Sequence, residues 1–327
     1  MAVGVIRFGS LTARIVWNGD RRGDDVAWIF GTPLIAPDSE RARTIELEVA
    51  FVDGVAVDRR PEIPPDGMVL CGTGSRPEIH TEAVSAVIER AHDPPRVTIA
   101  LHGAAATLPH FDLRVHLTVV LHKALFILGR VVLHAAAVRL ADRVSLFLGD
   151  KGAGKTTSSL RLGRAGATVL GEDHVILRKS PQGFRVSGCD ERSRLDAKTE
   201  RYFFPELLAT APRDFAGILK KEVPAVEVFD SQPYTDYRPD FVFFSRVGRK
   251  FAITPLPRQA AVLRLMRAAG KLQRFVDPGD AGSFVDMLLD FAQTVRSFDL
   301  ELSPDLQQLD RLVDFLQRET PAAVSRP

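Results

Sequence analysis

The chain has 327 residues, of which 45% are hydrophobic and 26% are charged, a composition typical of a globular protein with room for two domains. Its 43 basic and 41 acidic side chains leave a net charge of +2. This balance gives no reason to expect binding to nucleic acid or to an anionic membrane surface.

The sequence shows neither a membrane span nor the pattern of a secreted protein. No apolar run reaches the roughly 20 residues that cross a bilayer, and the segment 1–8 lacks the pattern of a secretion signal. Cys71 and Cys189 lie far apart and outside any CxxC pattern, so we expect no disulfide scaffold and no structural zinc site. These features predict a cytoplasmic protein.

The first third of the chain is typical of a β-rich domain. Alternating apolar residues, separated by turn-forming clusters, predict strands at 5–8, 12–17, 44–49 and 96–101. The segment 82–92 is predicted to be a helix. No motif with a chemical function occurs in this part, which we interpret as an N-terminal domain over residues 1–112.

Beyond the N-terminal domain the spacing of apolar residues changes, and an α/β domain is predicted over 113–327. Leucines recur at helical spacing over 113–128, and Gly129 is suited to end this helix. Two apolar strands are predicted next, at 131–140 and 144–148. The second strand leads directly into a glycine-rich segment.

The remaining elements are predicted from the same patterns. A helix is expected at 156–164, with Gly166 at its C-terminal end. Strands are predicted at 167–170, 175–177, 184–186, 225–229, 241–247 and 251–254. Two more helices are predicted at 258–269 and 284–298, and a last helix begins at Ser303-Pro304 and buries Leu306, Leu309, Leu312, Val313 and Leu316.

The glycine-rich segment matches the phosphate-binding pattern GxxxxGK[ST] in full: Gly149-Asp150-Lys151-Gly152-Ala153-Gly154-Lys155-Thr156, followed by Thr157. Glycines let the backbone turn tightly, so that its N–H groups point at phosphate oxygens, and the following helix adds its partial positive charge. Lys155 reaches the β- and γ-phosphates in such loops, and the Thr156 hydroxyl is the usual Mg²⁺ ligand. The sequence therefore predicts that residues 149–157 bind a nucleotide.

Other P-loop classes are excluded by the motifs that they require. The sequence contains no LSGGQ-like signature of an ABC-type ATPase, and neither the NKxD nor the DxxG motif of a GTPase. A Walker B residue is an acidic residue that follows an apolar strand. Asp173 fits this description, since it follows the strand 167–170 and lies 18 residues after Lys155, and Asp230 is a looser candidate.

The order of motifs around the loop resembles that of the HPr kinase/phosphorylase superfamily. The matching features are His134-Ala135-Ala136-Ala137-Val138, the hairpin, the loop with its helix, and Gly171-Glu172-Asp173-His174-Val175. The resemblance covers about residues 120–178, and it is closer to HPr-kinase-related proteins of biosynthetic gene clusters than to HPr kinase itself. It implies a P-loop core with a mixed sheet, like that of the ATP-dependent phosphoenolpyruvate carboxykinases.

The resemblance also implies roles for single residues. Asp173 would be the catalytic carboxylate, which accepts the proton of an attacking serine hydroxyl and helps to position Mg²⁺. Glu172 stands where many relatives have a first Asp, which implies a second acidic metal ligand. His134 either lies near the phosphate site, as in the superfamily, or packs as a core residue. A downstream signature of HPr kinase is missing, and the charged segment 188–194 at its place is better interpreted as solvated surface.

Together these patterns predict an ATP- and Mg²⁺-dependent kinase that phosphorylates a serine-type hydroxyl on a protein, a peptide or a small molecule. Two alternatives stay open. One is a nucleotide-dependent binding or scaffold module without phosphoryl transfer, which Glu172 and the missing downstream signature favour. The other is a partner-coupled ATPase that uses Asp230 as its Walker B residue. Hexameric relatives imply a homo-oligomer, by analogy alone.

Overall fold

A computed structural model divides the chain into two compact units, Met1–Val132 with Leu272–Gly282, and Leu133–Lys271 with Ser283–Pro327. The structure describes residues 2–8, 11–18, 45–51, 68–71, 76–81, 83–93, 95–101, 110–188, 192–204, 213–215, 218–224, 230–232, 235–273 and 278–319. Within this part of the chain, no helix has both the length and the apolar character needed to span a membrane. The domains predicted at 1–112 and 113–327 stay a prediction.

The first unit contains a seven-stranded sheet and a long helix. The strands are β1 (Ala2–Phe8), β2 (Leu11–Asn18), β3 (Ile45–Phe51), β4 (Met68–Cys71), β5 (Glu78–Thr81), β6 (Val84–Glu89) and β7 (Arg96–Leu101). Their order in the sheet is β1-β2-β3-β7-β6-β5-β4, with β3 parallel to both of its neighbours and the other pairs antiparallel. Helix α1 (His110–Ile127) contacts β5 and β6.

The helix predicted at 82–92 is wrong, because this segment contains strand β6. Val84 and Ile88 are fully buried on one face of the sheet, while Ser85 on the opposite face is also buried and contacts His80 of β5. A strand that is covered on both faces loses the regular alternation of polar and apolar residues. The period of two was therefore too weak to identify the strand from sequence.

The remaining elements follow in chain order. The strands are β8 (Arg130–Leu133), β9 (Ala135–Leu140), β10 (Arg143–Leu148), β11 (Thr168–Gly171), β12 (Val175–Ser180), β13 (Gly183–Gly188), β14 (Arg192–Asp196), β15 (Arg213–Phe215), β16 (Ile218–Pro224), β17 (Phe241–Val247), β18 (Ala252–Pro255) and β19 (Arg296–Leu302). The helices are α2 (Lys155–Arg164), α3 (Ala197–Phe203), α4 (Arg258–Gln273), α5 (Pro278–Thr294) and α6 (Asp310–Glu319), with a 3-10 helix at Leu306–Leu309.

A six-stranded mixed sheet forms the centre of the second unit, in the order β11-β9-β10-β17-β19-β18. Strand β10 is parallel to β17, which is parallel to β19, whereas β9 and β18 are antiparallel to their neighbours. Strands β10, β11, β17 and β19 therefore have their C-terminal ends at the same edge of the sheet, the edge that runs across the strands. Strand β9 begins at that edge. This mixed sheet confirms the predicted α/β class.

Helix α2 and the C-terminal helix α6 cover the sheet, and an aromatic core lies between the sheet and these helices. The rings of Phe147, Phe243 and Phe298, from three neighbouring strands, stack in a row with centroid distances of 5.1 and 5.3 Å. The ring of Phe315 from α6 lies edge-on to Phe298 at 5.2 Å. Stacked and edge-on rings combine large apolar burial with favourable quadrupole interactions.

We expect Phe243→Ala to reduce the free energy of unfolding by about 4 kcal/mol, because it removes the fully buried central ring of the row and leaves a cavity. Urea unfolding of the full chain measures the change. Tyr202→Ala is the matched control, since this aromatic side chain is 48% exposed and should cost less than about 1 kcal/mol. Equal losses in the two variants would contradict the assignment of the core.

Several element boundaries differ from those predicted. The apolar run 131–140 forms two strands, β8 and β9, which are separated at His134. The helix predicted at 284–298 ends at Thr294, and Phe298 belongs to β19; only Val295 separates the two elements, with no glycine or proline to mark the change. The last helix does not begin at Ser303-Pro304: α6 begins at Asp310, and the 3-10 helix before it is capped by Asp305, whose side chain accepts a hydrogen bond from the Gln307 N–H. The strand predicted at 225–229 lies outside the described residues.

Candidate functional site

The glycine-rich loop leaves the sheet from β10, which lies between β9 and β17. Gly154, the last residue of the loop before α2, has a φ of +87°, and a Cβ at this position would lie 2.3 Å from Cδ1 of Leu302. A Cβ on Gly149 would lie 2.5 Å from the backbone oxygen of Ser245. Both positions therefore require glycine, because neither has space for a Cβ. Gly154 also requires it because its φ is positive.

Lys155 places its ammonium group inside the loop. Its Nζ donates hydrogen bonds to the backbone oxygens of Gly149, at 2.7 Å, and of Asp150, at 3.1 Å, and the residue is 7% exposed. No side chain caps the start of helix α2, and its first turn contains no acidic residue. Thr156 and Thr157 lie half-buried in this turn. A positive charge and backbone N–H groups thus meet at the loop, as an anion site requires.

The sheet register brings His134 and Asp173 to the same edge as the loop. Leu148, the last residue of β10, is paired with Ala135, so His134 lies beside the start of the loop. The backbone oxygen of Asp173, which follows β11, lies 3.0 Å from His134 Nδ1. A carbonyl oxygen only accepts, so Nδ1 carries a proton and donates it in this contact. The rings of His134 and His174 are 6.1 Å apart.

Glu172 faces helix α2 from the end of β11. The residue is 5% exposed, and its Oε1 lies 2.6 Å from Oγ of Ser159, which is fully buried in α2. Ser159 Oγ also lies 2.9 Å from the backbone oxygen of Thr156. The contact ties the segment that follows β11, which contains Asp173, to the helix that follows the loop. The role of Glu172 as a metal ligand stays a prediction.

Asp230 lies at the opposite edge of the sheet from the loop. Its Oδ2 accepts a hydrogen bond of 2.6 Å from Oγ1 of Thr168, the first residue of β11. Thr168 is in register with Arg139, which is paired with Val144 near the start of β10. The loop follows the other end of β10. The fold therefore separates Asp230 from the loop and places Asp173 on the side of the loop.

A turn beside the loop was not predicted to belong to the site. Gly248, between β17 and β18, donates its N–H to the backbone oxygen of Leu302 at 2.9 Å. The carboxylate of Glu301 accepts hydrogen bonds from the N–H groups of Arg249, at 3.1 Å, and Lys250, at 3.4 Å, and from the Arg246 guanidinium at 2.5 Å. The only sequence signal is a short basic turn between two apolar strands.

Glu301 should make the stability of this turn depend on pH. Burial alone would raise the pKa of its carboxyl, but the hydrogen bonds from Lys250 and Arg249 and the charge of Arg246 lower the pKa below its ordinary 4.5. A carboxyl with a lowered pKa stabilises the fold above its unfolded pKa, and this contribution is lost as the pH falls through the folded value. We expect Glu301→Gln to lower Tm at neutral pH.

The difference in Tm between the wild type and Glu301→Gln should shrink as the pH falls below 4.5. Thermal unfolding followed by circular dichroism across that range measures it. Asp142→Asn, at an exposed carboxylate in the turn between β9 and β10, is the control. A Tm difference that is constant with pH would show that Glu301 does not act through its charge.

Comparisons with known proteins give a distant structural resemblance. No protein-family model matches the sequence, and no curated protein matches it. Among solved structures, the chain is similar to the Hpr(Ser) kinase/phosphatase from Coxiella burnetii, with 10% identity over 57% of this chain and 94% of that chain. The TM-score is 0.30, which is too low to support an inference about function.

Proposed function

We propose that the chain is an ATP-dependent kinase that transfers the γ-phosphate to a serine-type hydroxyl on a protein, a peptide or a small molecule. The observation that carries this proposal is the meeting of Lys155, His134 and Asp173 at one edge of the sheet. The Lys155 ammonium lies inside the loop, and Asp173 follows the strand that ends beside it. Phosphoryl transfer needs mainly positioning and charge neutralisation, which this arrangement supplies.

The residues at the loop fit the phosphates of a nucleotide. The Lys155 hydrogen bonds to loop carbonyls are weak competitors for a phosphate, because a phosphate oxygen carries a full negative charge. The uncapped N–H groups at the start of α2 are donors for the same anion. We assign Gly149, Asp150, Lys151, Gly152, Ala153, Gly154, Lys155, Thr156 and Thr157 to nucleotide binding.

The residues also fit a Mg²⁺ ion, which prefers hydroxyl and carboxylate oxygens. Thr156 and Asp173 would hold it, with Glu172 as a further oxygen donor. When bound, Mg²⁺ neutralises charge on the phosphates. Thr156 is half-buried in the first turn of α2, whereas the Glu172 carboxylate contacts the Ser159 hydroxyl.

Asp173 is the residue that we assign to the acceptor hydroxyl. Its carboxylate accepts the hydroxyl proton as the oxygen attacks the γ-phosphorus and the bond to the leaving oxygen breaks. His134 positions Asp173 through the hydrogen bond from Nδ1 to its backbone oxygen. Lys155 neutralises charge on the transferred group.

One observation favours a second candidate, a nucleotide-dependent binding module without transfer. Glu172 is buried against Ser159 instead of lying open at the loop, which leaves fewer carboxylates to hold catalytic metal. The partner-coupled ATPase has no such support, since its Walker B candidate Asp230 lies at the other edge of the sheet.

Two measurements on the full chain test the proposal. Isothermal titration with ATP and Mg²⁺ reports binding, and transfer of labelled γ-phosphate to serine-containing proteins, peptides and amino-alcohols reports catalysis. Binding with transfer supports the kinase. Binding without transfer to any acceptor supports the binding module, and no ATP binding at all overturns both.

A further inference from the structure

One exposed apolar side chain lies beside the loop, at the end of β17. Val247 is 53% exposed, although five of the seven residues of this strand are buried. A Cβ built on Gly154 would lie 3.9 Å from Cγ2 of Val247 and in contact with Leu302, which is only 3% exposed. Val247 therefore borders the last residue of the loop, and Leu302 lies buried next to it.

Val247 also differs in position from the other exposed apolar side chains. Among the described residues, the large exposed ones are Val247, Tyr202, Leu263 and Leu289. The last three lie on helices, whereas Val247 ends a strand at the edge that carries the loop. An exposed apolar group that borders the proposed phosphate site is suited to a ligand with both an apolar and an anionic part.

The turn after Val247 is held rigidly. The backbone bond from Gly248 to Leu302 and the hydrogen bonds to the Glu301 carboxylate fix it on both sides. Gly248 lets the Glu301 carboxylate approach the backbone of the turn, because a Cβ at position 248 would lie 2.2 Å from Glu301 Oε1. Arg249 in the same turn is exposed. An exposed guanidinium group in this turn is suited to an aromatic ring, on which guanidinium groups stack.

We infer that Val247 is the contact surface for the base of the nucleotide, with Arg249 at its rim. The inference rests on the proposed function, because the loop must hold the phosphates for the base to lie nearby. A purine base has two flat apolar faces and is linked to the phosphates through the ribose. An exposed aliphatic group next to the loop, on a rigid turn with a guanidinium group, matches that chemistry.

The test compares two ligands that share the phosphates and differ in the base. Isothermal titration of the full chain with ATP and with inorganic tripolyphosphate, both with Mg²⁺, gives two dissociation constants. We expect ATP to bind more tightly. Val247→Thr, which keeps the shape, and Val247→Ser should weaken ATP binding about fivefold and leave tripolyphosphate within twofold. Leu263→Ser, at the 64% exposed leucine of α4, should change neither.

Each contrary result has a distinct meaning. Unchanged ATP affinity in both Val247 variants, or equal affinity of the wild type for the two ligands, overturns the inference and leaves the proposed function standing. An equal loss of both ligands also overturns it, because Val247 would then act on the phosphate loop. Failure of the wild type to bind either ligand overturns the proposed function itself. The Tm of each variant shows that it is folded.

Discussion

Asp173→Asn should abolish phosphoryl transfer while nucleotide binding persists. The amide cannot accept the hydroxyl proton, and loss of a general base typically costs about a thousandfold in rate. The backbone oxygen that accepts from His134 is unchanged by this substitution, so the position of the residue is kept. Single-turnover transfer of labelled γ-phosphate and titration with ATP measure the two quantities on the same preparation.

Asp230→Asn is the matched control, because Asp230 is the other Walker B candidate predicted from sequence and lies at the far edge of the sheet. Transfer should be retained in this variant, apart from any loss of stability that follows from the broken contact with Thr168. The reverse pattern, with transfer or hydrolysis lost in Asp230→Asn and kept in Asp173→Asn, would contradict the proposed site and favour the partner-coupled ATPase.

Lys155→Ala should weaken ATP binding by about a hundredfold or more. The ammonium places a positive charge inside the loop. The hydrogen bonds that we propose it donates to phosphate oxygens would have no substitute in the variant. Titration with ATP and Mg²⁺ measures the effect. Because Lys155 also bonds to two loop carbonyls, circular dichroism must show that the variant folds.

Lys151→Ala provides the control within the same loop, since the Lys151 side chain is exposed and the substitution keeps the backbone N–H that we assign to nucleotide binding. We expect an effect of less than about threefold for an exposed charge that salt screens. Similar losses in the two variants would show that binding depends on the overall charge of the loop and not on the buried ammonium.

The buried contact between Glu172 and Ser159 has a consequence for these experiments. It joins the end of β11 to α2, so it sets the separation between Asp173 and the loop. A substitution at either residue would alter transfer through position as well as through metal binding. Variants at Asp173 and Lys155 are therefore the sharper tests.

The local patterns that were strong in the sequence predicted their elements well. The strand at 241–247 has the predicted bounds, and helix α2 begins at Lys155 and ends near Gly166, whose φ of +88° is that of a C-terminal glycine. Where no glycine or proline separates two elements, as at Val295 between α5 and β19, the prediction missed the boundary. Hydrophobic periodicity identifies an element over several residues and does not locate its last one.

The sequence by itself identified the loop and predicted its chemistry, because the glycines, Lys155 and Thr156 lie within eight consecutive residues and their spacing is dictated by local backbone geometry. The sequence also favoured Asp173 as the Walker B residue, because of its distance from the loop, but it did not exclude Asp230. Only the tertiary structure decided between their positions. Sheet order and register depend on pairing between distant strands, and these placed His134 and Asp173 at the loop edge, Asp230 at the other edge, and Val247 beside Gly154.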